Sequence, residues 1–332
     1  MHDGNTAILV PGTSFGNYKI EKLLGRGGMG EVYLASAPGG ALHAVKVLYP
    51  DVSGSGSDEL NRFVREAEFM MTVRHPNIVE VYDAGIDPDT GLCFLTMEFM
   101  PGGTLRQLLD SGVKMSFSGV SMIAADIARA LALVEANGMV HRDVKPDNIM
   151  FAADGTAKLA DLGISRFGKG SDARVTRVGE TVGTPAYMSP EQMLDSHSVD
   201  IRSDLYSLGV VMYEMITGRR PNEGENAMCT LANAIGGRRF PDVRTLRAET
   251  PPELAMLVGE MTHPSADGRP SSARMVLEML SHPERIAGYG TSAAGFSRPW
   301  YRDRGVLYAA TAMVLAAEAL AVALATVYAR SV

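Results

Sequence analysis

The residues with the clearest chemical potential form an eight-residue run, His-Arg-Asp-Val-Lys-Pro-Asp-Asn, at positions 141 to 148. Acidic, basic and amide side chains are crowded here around Pro146, which disfavours both a helix and a central strand. Apolar residues flank the run on both sides, so we expect a rigid loop between buried anchors. Such a loop can hold a general base, a cation and a metal ligand close together. A lone acidic residue in a loop is more often a turn former, so this interpretation depends on the rest of the chain.

A glycine-rich run, GRGGMGEV at positions 25 to 32, can bring the backbone close to phosphate groups. Glycine has no Cβ, so successive glycines allow backbone N–H groups to approach an anion. The run lies between two predicted strands and lacks the Lys-Ser/Thr ending of a P-loop. Taken alone, an ordinary glycine-rich hairpin turn explains it at least as well.

A lysine inside an apolar strand follows this run. Strand alternation places Ala44 and Lys46 on one face, under the glycine-rich turn. A charge in such a position needs a partner because burying it unpaired is costly. Glu66, on the helix predicted next, is the expected partner. The alternative is an edge-strand lysine whose ammonium group reaches solvent.

The elements that must position these residues change character along the chain. Strands are predicted for residues 18–24, 30–37, 42–48, 78–84 and 93–99, and helices for 59–73, 104–111, 117–137, 204–217, 228–235, 253–261 and 271–281. The Pro-Gly-Gly sequence at 101–103 separates the two groups. The sequence therefore predicts a small β lobe over residues 17–100 and a larger helical lobe over residues 101–282. The polar segment from Asp161 to Glu191 is too long for an ordinary connection, which indicates a functional loop.

Composition limits the classes of function. The chain has 332 residues, of which 46% are apolar and 21% are charged, so a folded globular protein is expected. A formal net charge of -7 argues against a general nucleic-acid-binding protein. Cys93 and Cys229 lack metal-site spacing, which favours a reducing compartment without a structural disulfide. The first residues do not have the pattern of an ordinary signal peptide.

Together these motifs resemble those of the eukaryotic-type (Hanks-type) serine/threonine protein kinases, in particular the bacterial membrane-anchored members. The resemblance covers residues 17 to 281 and follows the family's order. The matching segments are the glycine-rich run, Ala44-Val45-Lys46, Glu66, the loop at 141–148, Asp161-Leu162-Gly163, Ser189-Pro190-Glu191, Asp204 and Arg269. The resemblance implies an α+β, bilobal protein kinase fold that transfers the γ-phosphate of ATP to Ser/Thr hydroxyls of protein substrates. Leu162 and Ser189 replace the more common Phe and Ala, as in other bacterial members.

The resemblance also implies catalytic roles. Lys46 would hold the α and β phosphates, with Glu66 as its partner. Asp143 would orient the substrate hydroxyl and accept its proton. Lys145 would reach the γ-phosphate, and Thr184 would bond both Asp143 and Lys145.

A nucleotide and metal site is implied in the same way. Asn148 and Asp161 would bind Mg²⁺, or Mn²⁺ in its place, between the phosphates. The backbone of Glu98 and Met100 would meet adenine, while His141 is interpreted as a packing residue. The implied nucleotide-binding residues are Leu24, Gly25, Arg26, Gly27, Gly28, Met29, Gly30, Val32, Ala44, Lys46, Met97, Glu98, Met100, Asn148, Met150 and Asp161.

Regulation by phosphorylation is suggested by Arg142, which directly precedes the proposed base. A guanidinium group pairs well with phosphate, so a phosphate on the long polar segment would be its natural partner. Thr176 and Thr181 are the predicted sites of autophosphorylation, and Ser171 is a weaker candidate.

The C-terminal residues 306–328 form an apolar stretch with nine Ala, eight Leu or Val and one charged residue, Glu318. A helix of this length spans ~35 Å, which is enough to cross a bilayer core of ~30 Å. Arginines precede the stretch and aromatic residues lie at its ends, so we predict a single span at the cell membrane with the kinase domain in the cytoplasm. Residues 1–16 would be a flexible leader, 283–305 a juxtamembrane linker and 329–332 a short tail. Small residues along the span make a homodimer a candidate partner. The alternative is a soluble alanine-rich helix.

Two other classes of function compete with a protein kinase. A catalytically inactive scaffold at the membrane would share the fold, but Lys46, Asp143, Asn148 and Asp161 are all present. A small-molecule kinase would share both lobes, but the segment from Thr184 to Glu191 resembles a peptide-substrate platform. An active protein kinase is therefore the favoured interpretation.

Overall fold

The computed structural model describes residues 7–27, 30–49, 67–68, 70–162, 185–194, 199–221 and 239–281. The predicted helix 228–235 and the C-terminal segments from residue 283 onward lie outside these ranges, as does most of the predicted helix 59–73. Of that last helix, the described part ends at Thr72, four residues before Pro76.

The N-terminal lobe is a six-stranded antiparallel sheet. Its strands are β1 Ser14–Phe15, β2 Tyr18–Gly27, β3 Gly30–Ser36, β4 Leu42–Leu48, β5 Val81–Ile86 and β6 Cys93–Glu98, in the order β1-β2-β3-β4-β6-β5. Strand β4 is buried on both faces: Ala44 and Leu48 join the main core, whereas Val45 and Val47 join a smaller cluster on the outer face. This double burial explains why residues 44–48 of the strand are apolar except at Lys46.

Residues 7–16 differ from the predicted flexible leader. Leu9 and Phe15 are buried in the outer cluster, and β1 pairs with β2. The prediction missed this because the segment has no periodic pattern, and its packing depends on the apolar outer face of a sheet that forms later in the chain. For residues 7–16 the prediction of a flexible leader is therefore wrong.

Strand β5 begins three residues later than predicted. Residues 77–79 instead run beside the C-terminal lobe, where the N–H of Leu159 donates to the Asn77 carbonyl and the N–H of Val79 donates to the Leu159 carbonyl, at 2.8 and 3.0 Å. Ile78 forms an isolated parallel bridge with Leu159. Backbone groups used in this way are not available to the sheet. The segment thus joins the two lobes.

The C-terminal lobe is mainly helical. Its helices are α1 Leu105–Asp110, α2 Phe117–Ala136, α3 Pro190–Leu194, α4 Ile201–Thr217, α5 Pro252–Met261 and α6 Ala273–Leu280, with a two-stranded ribbon of β7 Ile149–Phe151 and β8 Ala157–Leu159. Helix α1 begins at a capping box formed by Thr104 and Gln107, and α4 ends at Gly218, whose φ of 70° suits glycine. The predicted order of a small β lobe and a larger helical lobe is confirmed.

Helices α2 and α4 form the centre of this lobe. Within the described ranges, α2 alone is long and apolar enough to span a bilayer, and more than half of its apolar window is buried inside the protein. Helix α4 is almost wholly buried and is packed against both α2 and α5. These two helices provide the rigid support for the loop at 141–148.

Candidate active site

A buried carboxylate of helix α4 holds the start of the loop at 141–148 in place. The backbone N–H groups of His141 and Arg142 both donate to Asp204, at 2.7 Å each. Burial raises the pKa of Asp204, although these hydrogen bonds act in the opposite direction. Arg142 has a φ of 68°, a conformation that non-glycine residues rarely adopt and that needs such support. The side chain of His141 is buried, with Nε2 3.0 Å from the Ala160 carbonyl oxygen.

Asp143 is held by two neighbours within the same loop. Its Oδ2 atom lies 2.9 Å from Nζ of Lys145 and accepts a 2.8 Å hydrogen bond from Nδ2 of Asn148. The same Asn148 amide donates to the Asp143 carbonyl oxygen at 2.8 Å. A short 3₁₀ helix over Pro146–Asn148 makes this geometry because it turns Asn148 back towards Asp143. The loop therefore brings together an acidic, a cationic and an amide side chain.

Across the cleft, Lys46 on β4 contacts Asp161. The ammonium group of Lys46 lies 2.8 and 2.9 Å from the two carboxylate oxygens. Burial alone would raise the pKa of Asp161, but the charge and hydrogen bonds of Lys46 outweigh it and hold the pKa below its ordinary value. Asp161 has a φ of 60°, the second non-glycine residue with positive φ in the described chain. The partner predicted for Lys46, Glu66, lies outside the described residues.

The glycine-rich strands leave open space over this cleft. A Cβ atom added to Gly25 would meet nothing within 4 Å, and one added to Gly27 would meet only the Gly30 carbonyl oxygen, at 3.8 Å. At Gly30, by contrast, a Cβ would lie 2.1 Å from the Val47 carbonyl oxygen, so close strand packing requires glycine there. Space for a ligand and tight packing thus explain different glycines of the run.

Several predicted nucleotide contacts share one face of the sheet. Val32 is the cross-strand partner of Lys46, and Ala44 is the cross-strand partner of Met97. Leu24 lies on β2 and is 40% exposed, while Met150 lies on β7 of the other lobe. Their contacts with an adenine ring remain predictions.

The residues predicted to form the hinge are Met97, Glu98 and Met100. Met97 and Met100 are buried. The N–H of Glu98 donates to the Glu80 carbonyl at 2.8 Å, so a nucleotide contact at this residue would use its carbonyl group. The Glu98 carboxylate is bound by Lys158 of β8, with both oxygens 2.7 Å from Nζ. Sequence reasoning missed Lys158 because nothing in its local pattern indicates a partner 60 residues away.

A second buried cluster holds the segment after Thr184. Tyr187 donates its hydroxyl to Glu214 of helix α4 at 2.5 Å, and Arg106 of α1 contacts the other carboxylate oxygen at 2.9 Å. Burial, with the nearby Glu214 charge, raises the pKa of Tyr187. Further along, Arg269 makes a two-pronged ion pair with Glu191, at 2.6 and 3.0 Å. The only sequence signal for the first cluster was a charged residue inside the apolar helix α4.

Some predicted site residues lie outside the described ranges. They are Gly28, Met29, Glu66, Thr176, Thr181 and Thr184. Their roles remain predictions.

The donor set in the cleft suits a hard divalent cation. Asn148 turns its Nδ2 group towards two oxygens of Asp143, which directs its amide oxygen elsewhere. Asn148 directly precedes β7, and Asp161 follows the end of β8 by two residues. The lowered pKa of Asp161 means that its side chain is an ionised carboxylate. Amide and carboxylate oxygens are ligands that Mg²⁺ and Mn²⁺ accept, with phosphate oxygens and water completing the shell. In the described part of the chain no group of three His, Cys, Asp or Glu residues forms a protein-only metal site.

Comparison with known proteins agrees with this geometry. The sequence matches the protein kinase domain family over residues 18–283. It is 38% identical over 249 residues to the probable serine/threonine-protein kinase PknB of Bifidobacterium longum, covering 73% of this chain and 34% of that protein. It is 42% identical over 214 residues to the serine/threonine-protein kinase PknB of Mycobacterium tuberculosis, covering 63% of this chain and 34% of the relative. The chain therefore spans about a third of the length of these relatives.

A solved structure shows the same fold. The PknI kinase domain of Mycobacterium tuberculosis superposes with a TM-score of 0.64 at 26% sequence identity, covering 83% of this chain and 99% of that domain. The matched region contains both lobes and the cleft between them. The bilobal fold, the order of the motifs and the matched family agree, and the chain belongs to the protein kinase domain family.

Proposed function

We propose that this chain is a serine/threonine protein kinase that transfers the γ-phosphate of ATP to hydroxyl groups of proteins. The observation that carries the proposal is the convergence of Asp143, Lys145 and Asn148 within hydrogen-bonding distance, opposite the Lys46–Asp161 pair. The printed names of the curated relatives, which are serine/threonine-protein kinases, support the same activity.

Asp143 acts as the base in this proposal. Its Oδ2 atom is already engaged by Lys145 and Asn148, so we assign Oδ1 to the substrate hydroxyl and its proton. Lys145 lies beside the carboxylate with its side chain only 18% exposed, where an ammonium group can bind a phosphate oxygen as well as Asp143. Both groups are in place before substrate arrives, which lowers the cost of organising them during the reaction.

Lys46, Asn148 and Asp161 bind the phosphate end of the nucleotide. Lys46 supplies a positive charge, while Asn148 and Asp161 would hold Mg²⁺, or Mn²⁺ in its place. The bound cation would neutralise negative charge on the phosphate oxygens. Asp161 suits this role because its lowered pKa keeps it ionised at neutral pH.

Transfer of labelled phosphate from ATP to a generic basic protein tests the proposal. The parent chain is expected to label the protein, and the Asp143→Asn variant is expected to label it at least about 100-fold more slowly, in line with the loss of a positioned base. Equal labelling by both chains would contradict the assignment of Asp143. Absence of labelling by both chains would instead leave an inactive scaffold as the better description.

Autophosphorylation on the segment between Asp161 and Glu191 is the proposed means of activation. Arg142 lies in a strained backbone position that is bound to both Asp204 and Gln192, and its guanidinium group is suited to a phosphate. Thr176 and Thr181 are the proposed sites. Peptide mapping after incubation with Mg-ATP should find phosphate on one of them, and a map in which neither is modified would exclude this form of regulation.

Attachment to the cell membrane through residues 306–328 is also proposed, with the kinase domain in the cytoplasm. The length, the apolar composition and the preceding arginines of this stretch support it. Full-length protein should stay with the membrane fraction after carbonate extraction, whereas a chain ending at residue 282 should be released. Release of the full-length chain would exclude a membrane span.

A further inference from the structure

A buried carboxylate lies at the base of the glycine-rich turn. Glu31 is only 2% exposed, although it directly follows Gly30 in the motif. Its Oε1 atom lies 3.0 Å from Nε of Arg26, the residue between Gly25 and Gly27. Arg26 and Glu31 are also cross-strand partners in the β2–β3 hairpin. The one charged side chain described within the turn is therefore held by Glu31, away from the cleft.

The other oxygen of Glu31 is bound by residues 7–15, which we call the N-terminal strap. The N–H of Ile8 donates to Oε2 of Glu31 at 2.8 Å, and the hydroxyl of Tyr33 donates to the same atom. The N–H of Leu9 in turn donates to the Tyr33 hydroxyl oxygen at 2.9 Å. Burial, together with the hydrogen bond to Glu31, raises the pKa of Tyr33 to about 12, so this hydroxyl keeps its proton at physiological pH.

The N-terminal strap supplies part of the hydrogen bonding that the buried Glu31 carboxylate needs. A buried carboxylate needs several donors to offset the loss of water, and here the strap supplies one directly and positions a second through Tyr33. Leu9 and Phe15 anchor the strap among buried residues of the outer face, including Val45 and Val47. Those two residues flank Lys46, whose side chain points to the opposite face.

We propose that the N-terminal strap acts through Glu31 to position the glycine-rich turn for nucleotide binding, so that Glu31, Ile8 and Tyr33 are positioning residues. The inference rests on the proposed kinase function. A glycine-rich turn loses much conformational entropy when it is ordered. The hydrogen bonds from the strap to Glu31, and from Glu31 to Arg26, fix Arg26 between Gly25 and Gly27, which reduces the cost of ordering these residues around phosphates.

The hydrogen bond from Ile8 can be removed without changing any charge. In the full chain, Ile8→Pro deletes the N–H donor, whereas Ile8→Ala keeps it and shortens the side chain. We expect Ile8→Pro to raise the KM for ATP about 5- to 10-fold, which is less than the full effect of one hydrogen bond to a charged group because Ile8 acts on the turn through Glu31. The kcat and the KM for peptide should stay within about twofold of the parent. Ile8→Ala should leave the KM for ATP within about twofold.

A change in Ile8→Ala as large as that in Ile8→Pro would overturn the role of the hydrogen bond. An equal change in the KM values for ATP and for peptide would also overturn it, because a general change in the structure would affect both substrates. If Ile8→Pro does not fold, Glu31→Gln provides a second variant that keeps the shape and one acceptor oxygen. It should show the same selective rise, and an unchanged KM for ATP would overturn the proposal.

A double variant tests independently whether Ile8 and Arg26 act on the KM for ATP through the same residue. Ile8→Pro and Arg26→Met should be less than additive in their effects on the KM for ATP, because both act through Glu31. Additive effects would contradict transmission through this carboxylate. A parent chain that binds the fluorescent nucleotide mant-ATP but transfers no phosphate would refute the proposed function alone, since the same comparisons can be read as nucleotide Kd values. Unchanged KM values in variants of an active parent would refute the strap's role alone.

Discussion

At the scale of single residues, three buried or partly buried carboxylates of the site are each matched by a specific donor set. Asp204 accepts hydrogen bonds from two backbone N–H groups. Asp161 forms an ion pair with Lys46, and Glu191 forms one with Arg269. Removing such a donor leaves an uncompensated charge, which is more damaging than losing an exposed ion pair. The pairs therefore fix where the loop at 141–148, Asp161 and the segment that begins at Pro185 lie.

The Glu191–Arg269 pair leads to a prediction about acid stability. Burial alone would raise the pKa of Glu191, but hydrogen bonds from Arg269 and Ser203 lower it from 4.5 to about 2. A lowered pKa means that the carboxylate stabilises the fold above its ordinary pKa and loses this effect as the pH falls towards 2. Glu191→Gln should therefore reduce the free energy of unfolding by on the order of 3 kcal/mol at pH 7, with a smaller difference at pH 3.

Urea denaturation of the parent and Glu191→Gln at both pH values measures this difference. Asp242→Asn is the matched control, because its ion pair with Arg244 is about half exposed and should contribute less than about 1 kcal/mol. A stability difference for Glu191→Gln that is the same at pH 3 and pH 7 would contradict the ion-pair account.

At the scale of elements, helices α1 and α4 hold the segment that begins at Pro185. Glu214 of α4 is 4% exposed. Its carboxylate accepts hydrogen bonds from Arg106 of α1 and from the hydroxyl of Tyr187, which belongs to the segment itself. The hydroxyl of Ser207, seven residues before Glu214 on α4, also donates to the Tyr187 carbonyl at 2.8 Å. Two helices and one loop thus share a single buried carboxylate.

Breaking this cluster should destabilise the protein strongly. Arg106→Met leaves Glu214 with Tyr187 and with Arg220, whose nitrogen is 4.0 Å away, so we expect a loss of roughly 3 to 5 kcal/mol in the free energy of unfolding. Adding Glu214→Gln removes the unpaired charge and should recover about half of the loss or more. Denaturant unfolding measures both, and a double variant no more stable than Arg106→Met would show that Glu214 is not the source of the loss.

An exposed ion pair provides the control for this experiment. Lys114 contacts Glu249 at 2.7 Å, and their side chains are 67% and 54% exposed. Lys114→Met should therefore change the free energy of unfolding by less than about 1 kcal/mol. A loss comparable to that in Arg106→Met would indicate that truncating a long side chain, and not unpairing Glu214, causes the effect.

Elements were predictable from sequence where the signal was local. Turn residues and alternating apolar positions placed β3 and β4 within one residue, and Gly218 marked the end of α4. The start of β5 was missed because residues 77–79 bond to the distant strand β8. The strap was missed because its hydrogen bonds to Glu31 and Tyr33 use backbone N–H groups, which have no sequence pattern.

The site was predictable to a similar extent. Asp143, Lys145 and Asn148 lie within six residues, so their proximity followed from the loop alone. The contact between Lys46 and Asp161 joins residues 115 positions apart, and the sequence predicted only that Lys46 needs an anion. Lys158 and Glu214 have partners on other elements, and finding those partners required the fold.

At the scale of the whole molecule, the lobes are joined behind the cleft. Residues 77–79 bond to β8, and Lys158 of β8 binds the hinge residue Glu98. Both connections are made on the same two-stranded ribbon that carries Asn148 to Asp161. A change in the angle between the lobes should therefore move Asn148 and Asp161, the residues proposed to bind the metal ion.

The Glu98–Lys158 contact can be tested by hydrogen exchange. Lys158→Met should speed exchange of the Val79 and Leu159 amides about tenfold, because one of the contacts that hold the lobes together is lost. Lys114→Met removes an ion pair with Glu249 in which both side chains are more than half exposed, and it should leave these amides unchanged. Unaltered exchange in Lys158→Met would show that the backbone bonds alone hold the ribbon to residues 77–79.

In the proposed function, Asp143 acts on the substrate hydroxyl in a preformed site. The most direct test of this role is phosphate transfer by Asp143→Asn under conditions where nucleotide binding is measured on the same sample. We expect Asp143→Asn to bind Mg-ATP within a few-fold of the parent and to transfer phosphate at least about 100-fold more slowly. Transfer at the parental rate with normal nucleotide binding would contradict it.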